Sequence, residues 1–188
     1  ADFSTNAGLP ARLYEIGDEY EKATFYDYAI QTYEYIKTNF PQSVYLAQAD
    51  MWTLGIEAWN AIDSRDYSIA SQMLNQVVDK YGNVQNADRI YYIAAKKYCG
   101  KGRYAEANDF FTYIVNNYSD SAYLKQAQLG TMGTDIYLLI QSGDTDQAKS
   151  KLNLMQSLYP DERDMPFYLC YIARALEKAH LESDAINF

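Results

Sequence analysis

Residues 27–41 read DYAIQTYEYIKTNFP, and this stretch decides the fold. Its apolar positions Ala29, Tyr33, Ile36 and Phe40 are separated by four, three and four residues. At 3.6 residues per turn those offsets share one face of a helix. The frame returns as Ala70, Leu74, Val77 and Tyr81, as Ala107, Phe111, Ile114 and Tyr118, and as Ala148, Leu152, Met155 and Tyr159, with a fifth alanine at Ala185. Successive alanines are 41, 37, 41 and 37 residues apart. A period near forty residues marks a solenoid, in which each unit is stable only when stacked on its neighbours. Alanine at each origin suits a close helix crossing, where a larger side chain would hold the helices apart.

A second apolar frame precedes each alanine. It reads Leu13, Ile16, Gly17, Tyr20 in the first unit, Tyr91, Ala94, Ala95, Tyr98 in the third, and Leu169, Ile172, Ala173, Leu176 in the fifth. Steps of three, one and three again make one helical face, so each unit is a helical hairpin. The even units carry the frame three residues earlier, as Met51, Leu54, Gly55, Ala58 and Leu129, Met132, Gly133, Ile136. Their first helix, or its turn, is therefore longer by about one turn. The larger period is 78 residues, one step of 41 and one of 37, as expected of a duplicated two-hairpin block.

Local signals agree. Pro10 suits a first helical turn, where a missing amide donor costs nothing. Ser43 and Ser121 offer N-caps to the helices that follow, and Gly100, Gly102 and Gly143 fall in turns between paired helices. No stretch alternates polar and apolar residues long enough for a strand, so the chain is expected to be all-α. Nothing marks an internal linker. Residues 1–9, small and polar, are expected to be loose, and one solenoid is expected over 10–188. Its five repeats fall at about 10–43, 44–84, 85–121, 122–162 and 163–188. The last is incomplete, since only three residues follow Ala185. Further repeats, a cap, or self-association through the C-terminal edge are expected to complete it.

LYEIGDEY (13–20) followed by DYAIQTYEYIKTNFP resembles the tetratricopeptide repeat pattern: a large apolar residue, Leu-Gly, Tyr, then Ala, an aromatic, a small residue and Pro. Pro41 and Pro160 stand after the final aromatic as in that family, whereas Gly82 and Ser119 replace proline in the second and third units. The resemblance covers roughly residues 10–188 and implies a right-handed superhelix of antiparallel hairpins that binds proteins or peptides on its concave wall. FPQSVYLAQA (40–49) and YSDSAYLKQA (118–127) resemble linkers of bacterial envelope members, the outer-membrane assembly lipoprotein and the coordinator of the Tol–Pal system. This narrower likeness implies a periplasmic or envelope location, with the cytoplasm as the alternative. Chaperone adaptors of the family grip a terminal carboxylate with Lys and Asn, and the matching places here are Tyr14 and Asp18, which do not suit that task.

Composition narrows the function. A net charge of −9 with scattered Lys and Arg argues against nucleic acid. No apolar run approaches the roughly 20 residues that span a bilayer. His180 is the single histidine, without a second ligand at metal spacing, and the acidic strings 18–21 and 161–164 lack a calcium-loop pattern. Asn117-Tyr118-Ser119 matches a glycosylation acceptor but sits at a core helix end. Cys99 and Cys170 lie two repeats apart, too far for a disulfide, and are expected to be free thiols. No cofactor, metal or catalytic residue is expected. A non-enzymatic interaction module is the favoured reading; the alternatives are a self-associating scaffold and an interaction domain of a larger enzyme.

The family's inner wall is lined by first helices. In the second unit this implies Trp52, Thr53, Ile56, Trp59 and Asn60, with Trp52, Ile56 and Trp59 on one stripe. Neighbouring units add Tyr14, Tyr92, Tyr137 and Tyr171, with Arg89, Lys96 and Arg174 as accompanying cations. Aromatic residues with arginine are typical of recognition hot spots, and a partner segment of some acidic character would suit them. The alternative is that the tryptophans pack against the next hairpin, because the even units have longer helices.

Overall fold

The computed structural model describes residues 8–179, and every regular element among them is an α-helix. The order is α1 (Leu9–Lys22), α2 (Tyr26–Asn39), α3 (Leu46–Asp63), α4 (Tyr67–Tyr81), α5 (Ala87–Gly100), α6 (Tyr104–Asn117), α7 (Leu124–Ser142), α8 (Thr145–Leu158) and α9 (Met165–Lys178). Helices α3 and α7 have 18 and 19 residues against 14 for α1, α5 and α9, which is the expected extra turn of the even units. Of the expected loose segment, Leu9 already belongs to α1. Residues 1–7, His180 and the whole incomplete second helix around Ala185 lie outside the described residues.

The turns carry the repeat as clearly as the cores do. Each hairpin turn holds one left-handed residue: Thr24 (φ 63°), Arg65 (φ 67°), Gly102 (φ 74°) and Gly143 (φ 85°). After each, the next amide reaches back to a carbonyl of the preceding helix, as Phe25 to Tyr20, Asp66 to Ala61, Arg103 to Tyr98 and Asp144 to Leu139, all within 2.7–2.9 Å. This six-to-one closure satisfies helix-end carbonyls and reverses the chain. Glycine supplies the conformation freely at two turns, and Thr24 and Arg65 hold it at some steric cost. The serines act differently from expectation. Ser43 Oγ accepts from the Tyr45 amide at 3.2 Å and Ser121 Oγ from the Tyr123 amide at 2.9 Å, so they close a tight turn ahead of the helix. The N-caps of α3 and α7 are Tyr45 and Tyr123.

Two compact units divide the chain, residues 1–90 and 91–188, with the boundary inside α5. In each unit the frame residues of the second helices are buried, from Ala29, Tyr33 and Ile36 through to Ala148, Leu152 and Met155. In the first unit α3 is buried on nearly every side, including Met51, Trp52, Ile56, Ala58, Trp59 and Ile62. In the second unit α7 holds the same place. A Cβ on its Gly130 would meet Phe111 at 2.7 Å, and one on Gly133 would meet Tyr168 at 2.6 Å.

The 78-residue block recurs in the packing. Tyr14 stacks on Tyr45 at 5.2 Å between ring centroids, and Tyr92 on Tyr123 at 4.8 Å. Tyr14 meets Tyr33 at 6.0 Å, and Tyr92 meets Phe111 at 6.1 Å. The first-helix frames hold less uniformly. Tyr91, Ala94 and Tyr98 are fully buried, yet Ile16 is 46% exposed, with Leu13 and Tyr20 half-buried. In α1 only the Gly17 side is pressed, by the ring of Tyr33. In α9 the buried face turns to Tyr168, Tyr171, Ile172, Ala175 and Leu176, leaving Leu169 and Ala173 half-buried, because α9 packs on α7.

Candidate functional site

The α3 stripe of Trp52, Ile56 and Trp59 is a closed core of the first unit. Trp52 donates its indole N–H to the Tyr14 hydroxyl at 3.1 Å, and Trp59 donates to the Ile90 carbonyl at 3.1 Å. The two indoles meet edge to face at 6.1 Å, and Tyr26 lies 5.7 Å from Trp59. Above them Arg89 Nη2 sits 2.6 Å from Glu21 Oε2 and Nη1 sits 3.7 Å from Asp18, with the guanidinium 5.4 Å from the Trp52 ring centre. This ion pair joins α1 to the start of α5 across the face of α3. Glu21 is 2% exposed, and burial raises its carboxyl above the ordinary range although Arg89 pulls it down.

The expectation that Trp52, Ile56 and Trp59 line an open groove is therefore corrected: all three are fully buried. Arg89 is engaged with Glu21, and Tyr14, half-buried, with Trp52. The longer α3 supplies large indoles that fill the space a groove would occupy, and α1 and α5 approach closely enough to pair over them. Asn60 remains half-buried beside Tyr26, in a shallow hollow of about 340 Å³.

The second unit repeats the design with different residues. Lys96 Nζ lies 3.0 Å from Asp164 and 4.3 Å from the Phe167 ring centre, and the Tyr92 hydroxyl donates to Asp164. Burial would raise the Asp164 carboxyl, but the bonds from Tyr92 and Lys96 hold it below the usual value. Tyr92 and Lys96 are thus also engaged internally. At a distance of 78 residues, Gly130 stands for Trp52, Tyr137 for Trp59, Cys99 for Glu21 and Phe167 for Arg89. With a phenol and a thiol in place of an indole and a carboxylate, the corresponding place in the second unit holds a cleft of about 660 Å³.

Tyr104, Tyr137, Phe167 and Tyr171 give this cleft its aromatic wall, and Arg174 and Lys178 stand exposed at its rim with Glu177. Tyr104 lies 3.8 Å from Tyr137 and 4.6 Å from Tyr171 between ring centroids. Burial pushes the Tyr104 hydroxyl up to about 12 and the Cys99 thiol up to about 12, so both stay protonated at neutral pH. Cys99 and Cys170 are free thiols, as expected, and both line this one cleft. Among the described residues no group of three or more His, Cys, Asp or Glu stands where it could hold a metal ion. The cleft can bury an apolar side chain and pair an anion.

Of the residues singled out from sequence, the cleft brings together Tyr137, Tyr171 and Arg174. Trp52, Ile56, Trp59, Asn60, Tyr14 and Arg89 belong to the other unit. Tyr104, Phe167 and Lys178 escaped the sequence reading. Superposing the chain on itself at 78 residues would have flagged the contrast of Glu21 with Cys99 and of Arg89 with Phe167. No family model matches the chain, and no curated protein matches it.

Proposed function

We propose that this chain is a non-enzymatic, tetratricopeptide-like interaction module that takes a protein segment in the cleft of its second unit. The observation that carries the reading is the contrast between two equivalent inner faces. One is sealed by indoles and a buried ion pair; the other is open, aromatic and rimmed by cations. An aromatic wall with an arginine at its edge is the composition of a binding hot spot. The suited ligand presents a large apolar side chain to Tyr137, Tyr171 and Phe167 and an acidic group to Arg174 and Lys178. A solenoid of stacked hairpins and a place in the bacterial envelope belong to the same proposal. The first rests on the repeat frames and the second on the Pro41-Gln42-Ser43 and Ser119-Asp120-Ser121 linkers.

No helix among the described residues is long and apolar enough to cross a membrane. The test attaches a photo-crosslinker to Cys170, the exposed thiol at the cleft, in the full-length protein in its native cells. The expected result is one saturable cross-linked partner in the envelope fraction, lost with Arg174→Glu. Cross-linking that Arg174→Glu leaves unchanged refutes the cleft, and a strictly cytoplasmic protein refutes the location.

A further inference from the structure

The first unit supplies its own carboxylates where the second unit has none. Glu21 lies 2.6 Å from the Arg89 guanidinium, and burial, then the nearby charges of Glu21 and Asp63, raise the Tyr26 hydroxyl above its ordinary value. At a distance of 78 residues the phenol is kept as Tyr104, while Cys99 stands for Glu21 and Gln141 for Asp63. The cation is kept but moved: Phe167 stands for Arg89, and Arg174 lines the cleft.

Two donors therefore face the cleft with no carboxylate between them. Burial pushes the Tyr104 hydroxyl up to about 12, so at neutral pH it donates, and Arg174 lies close enough to pull that value back down. Among the described residues neither the Tyr104 hydroxyl nor Arg174 has a hydrogen-bond or ion-pair partner. At the rim Glu177 offsets Lys178, which leaves the single charge of Arg174. One cation beside one neutral hydroxyl matches a monoanion, whereas a phosphoryl group near −2 would keep a charge unmatched. Tyr104 also belongs to the aromatic wall, against Tyr137 and Tyr171, so a carboxylate bound to its hydroxyl lies beside that wall. Aromatic pairs attract beyond the area they bury, which favours a ring over an aliphatic chain there.

We infer that Tyr104 and Arg174 clamp a carboxylate side chain of the bound protein segment, and that an aromatic residue on the same face of the segment rests on the wall. This rests on the cleft reading above and adds to it the carboxylate, the neighbouring ring and the role of Tyr104. In an extended segment, residues two apart share a face, so an aromatic residue and an acid separated by one residue suit the site.

The probe is a fluorescein-labelled Gly-Ser peptide holding one Phe-Gly-Glu, read by fluorescence polarisation against the full chain. Beside it run versions with Gln or phosphoserine for Glu, and with Ala for Phe. The expected result is saturable binding of the Phe-Gly-Glu peptide, weaker by about tenfold or more with Gln or Ala, and no gain with phosphoserine. Tyr104→Phe keeps the ring and should cost the Glu peptide about tenfold, the scale of one hydrogen bond to a charged group, while moving the Gln peptide far less. Arg174→Gln should likewise erase the preference for Glu over Gln. Tyr104→Phe removes only a half-buried side chain's hydroxyl, so the melting temperature should hold. A Glu preference that survives Tyr104→Phe overturns the clamp, as does absence of Phe-Gly-Glu binding or tighter binding of phosphoserine. The cleft reading fails separately, through native-partner cross-linking at Cys170 that ignores Arg174→Glu.

Discussion

Replacing Trp59 by alanine tests the closed core of the first unit most directly. The indole is fully buried, donates to the Ile90 carbonyl at 3.1 Å and packs against Trp52 and Tyr26. Truncating a buried tryptophan costs about 3–5 kcal/mol, and the lost hydrogen bond, about 1 kcal/mol, falls inside that range. For a chain of this size each kcal/mol lowers the melting temperature by about 2–4 °C, so a fall of roughly 6–20 °C is expected. Trp59→Phe keeps a ring in place and should lose a minor part of this. Both tryptophans of the chain lie in the first unit, so Trp52 emission in the variant reports on that unit alone. The assay is thermal or urea unfolding followed by Trp52 fluorescence beside far-ultraviolet circular dichroism. A fall of less than about 2 °C with unchanged emission would show that the indole lines an open groove and would refute the packing argument.

Gly133→Ala should destabilise by roughly 1–3 kcal/mol, offset by up to about 1 kcal/mol of helix propensity, because its Cβ would lie 2.6 Å from the Tyr168 ring; the urea midpoint of the helical signal checks it. Native alkylation should label Cys170 alone, since Cys99 is buried with its thiol pushed up to about 12, and mass spectrometry should count the second label only after denaturation. Asp164 and Asp50 both titrate below the ordinary 3.8, held there against burial by Tyr92 and Lys96 and by Lys37 and Tyr81 respectively. Their stabilisation is therefore complete above about pH 3.8 and is lost as pH falls through the depressed values, so melts of wild type and Asp164→Asn should stay apart down to about pH 4 and converge only as pH falls below about 3.8.

The second helices were legible because their frame recurs at the same helical spacing in every unit, and Ala107, Phe111 and Ile114 are buried as the spacing requires. The extra turn of the even first helices was legible from the alternation of 41 and 37. The direction taken by Trp52 and Trp59 was not. On α3 apolar residues occur on every side, so periodicity cannot separate a core stripe from a surface stripe. What decides the matter is the Arg89–Glu21 pair, whose partners are far apart in sequence and look like solvated charges in isolation. The turn residues divide in the same way. Gly102 and Gly143 announce a left-handed conformation, while Thr24 and Arg65 adopt it only because the hairpin closure imposes it.

Burial of α3 on both sides has a consequence during synthesis. Trp59 emerges with its apolar surround before its cover exists, since Ile90 follows it by 31 residues. At about 5–20 residues per second, that leaves α3 unsheltered for roughly two to six seconds on the translating ribosome. A nascent chain stalled before Arg89 should be a chaperone client and protease-sensitive, and one extended past α5 should not. Translational pausing in the codons for residues 63–89 would then lower the yield of folded protein without changing a single side chain.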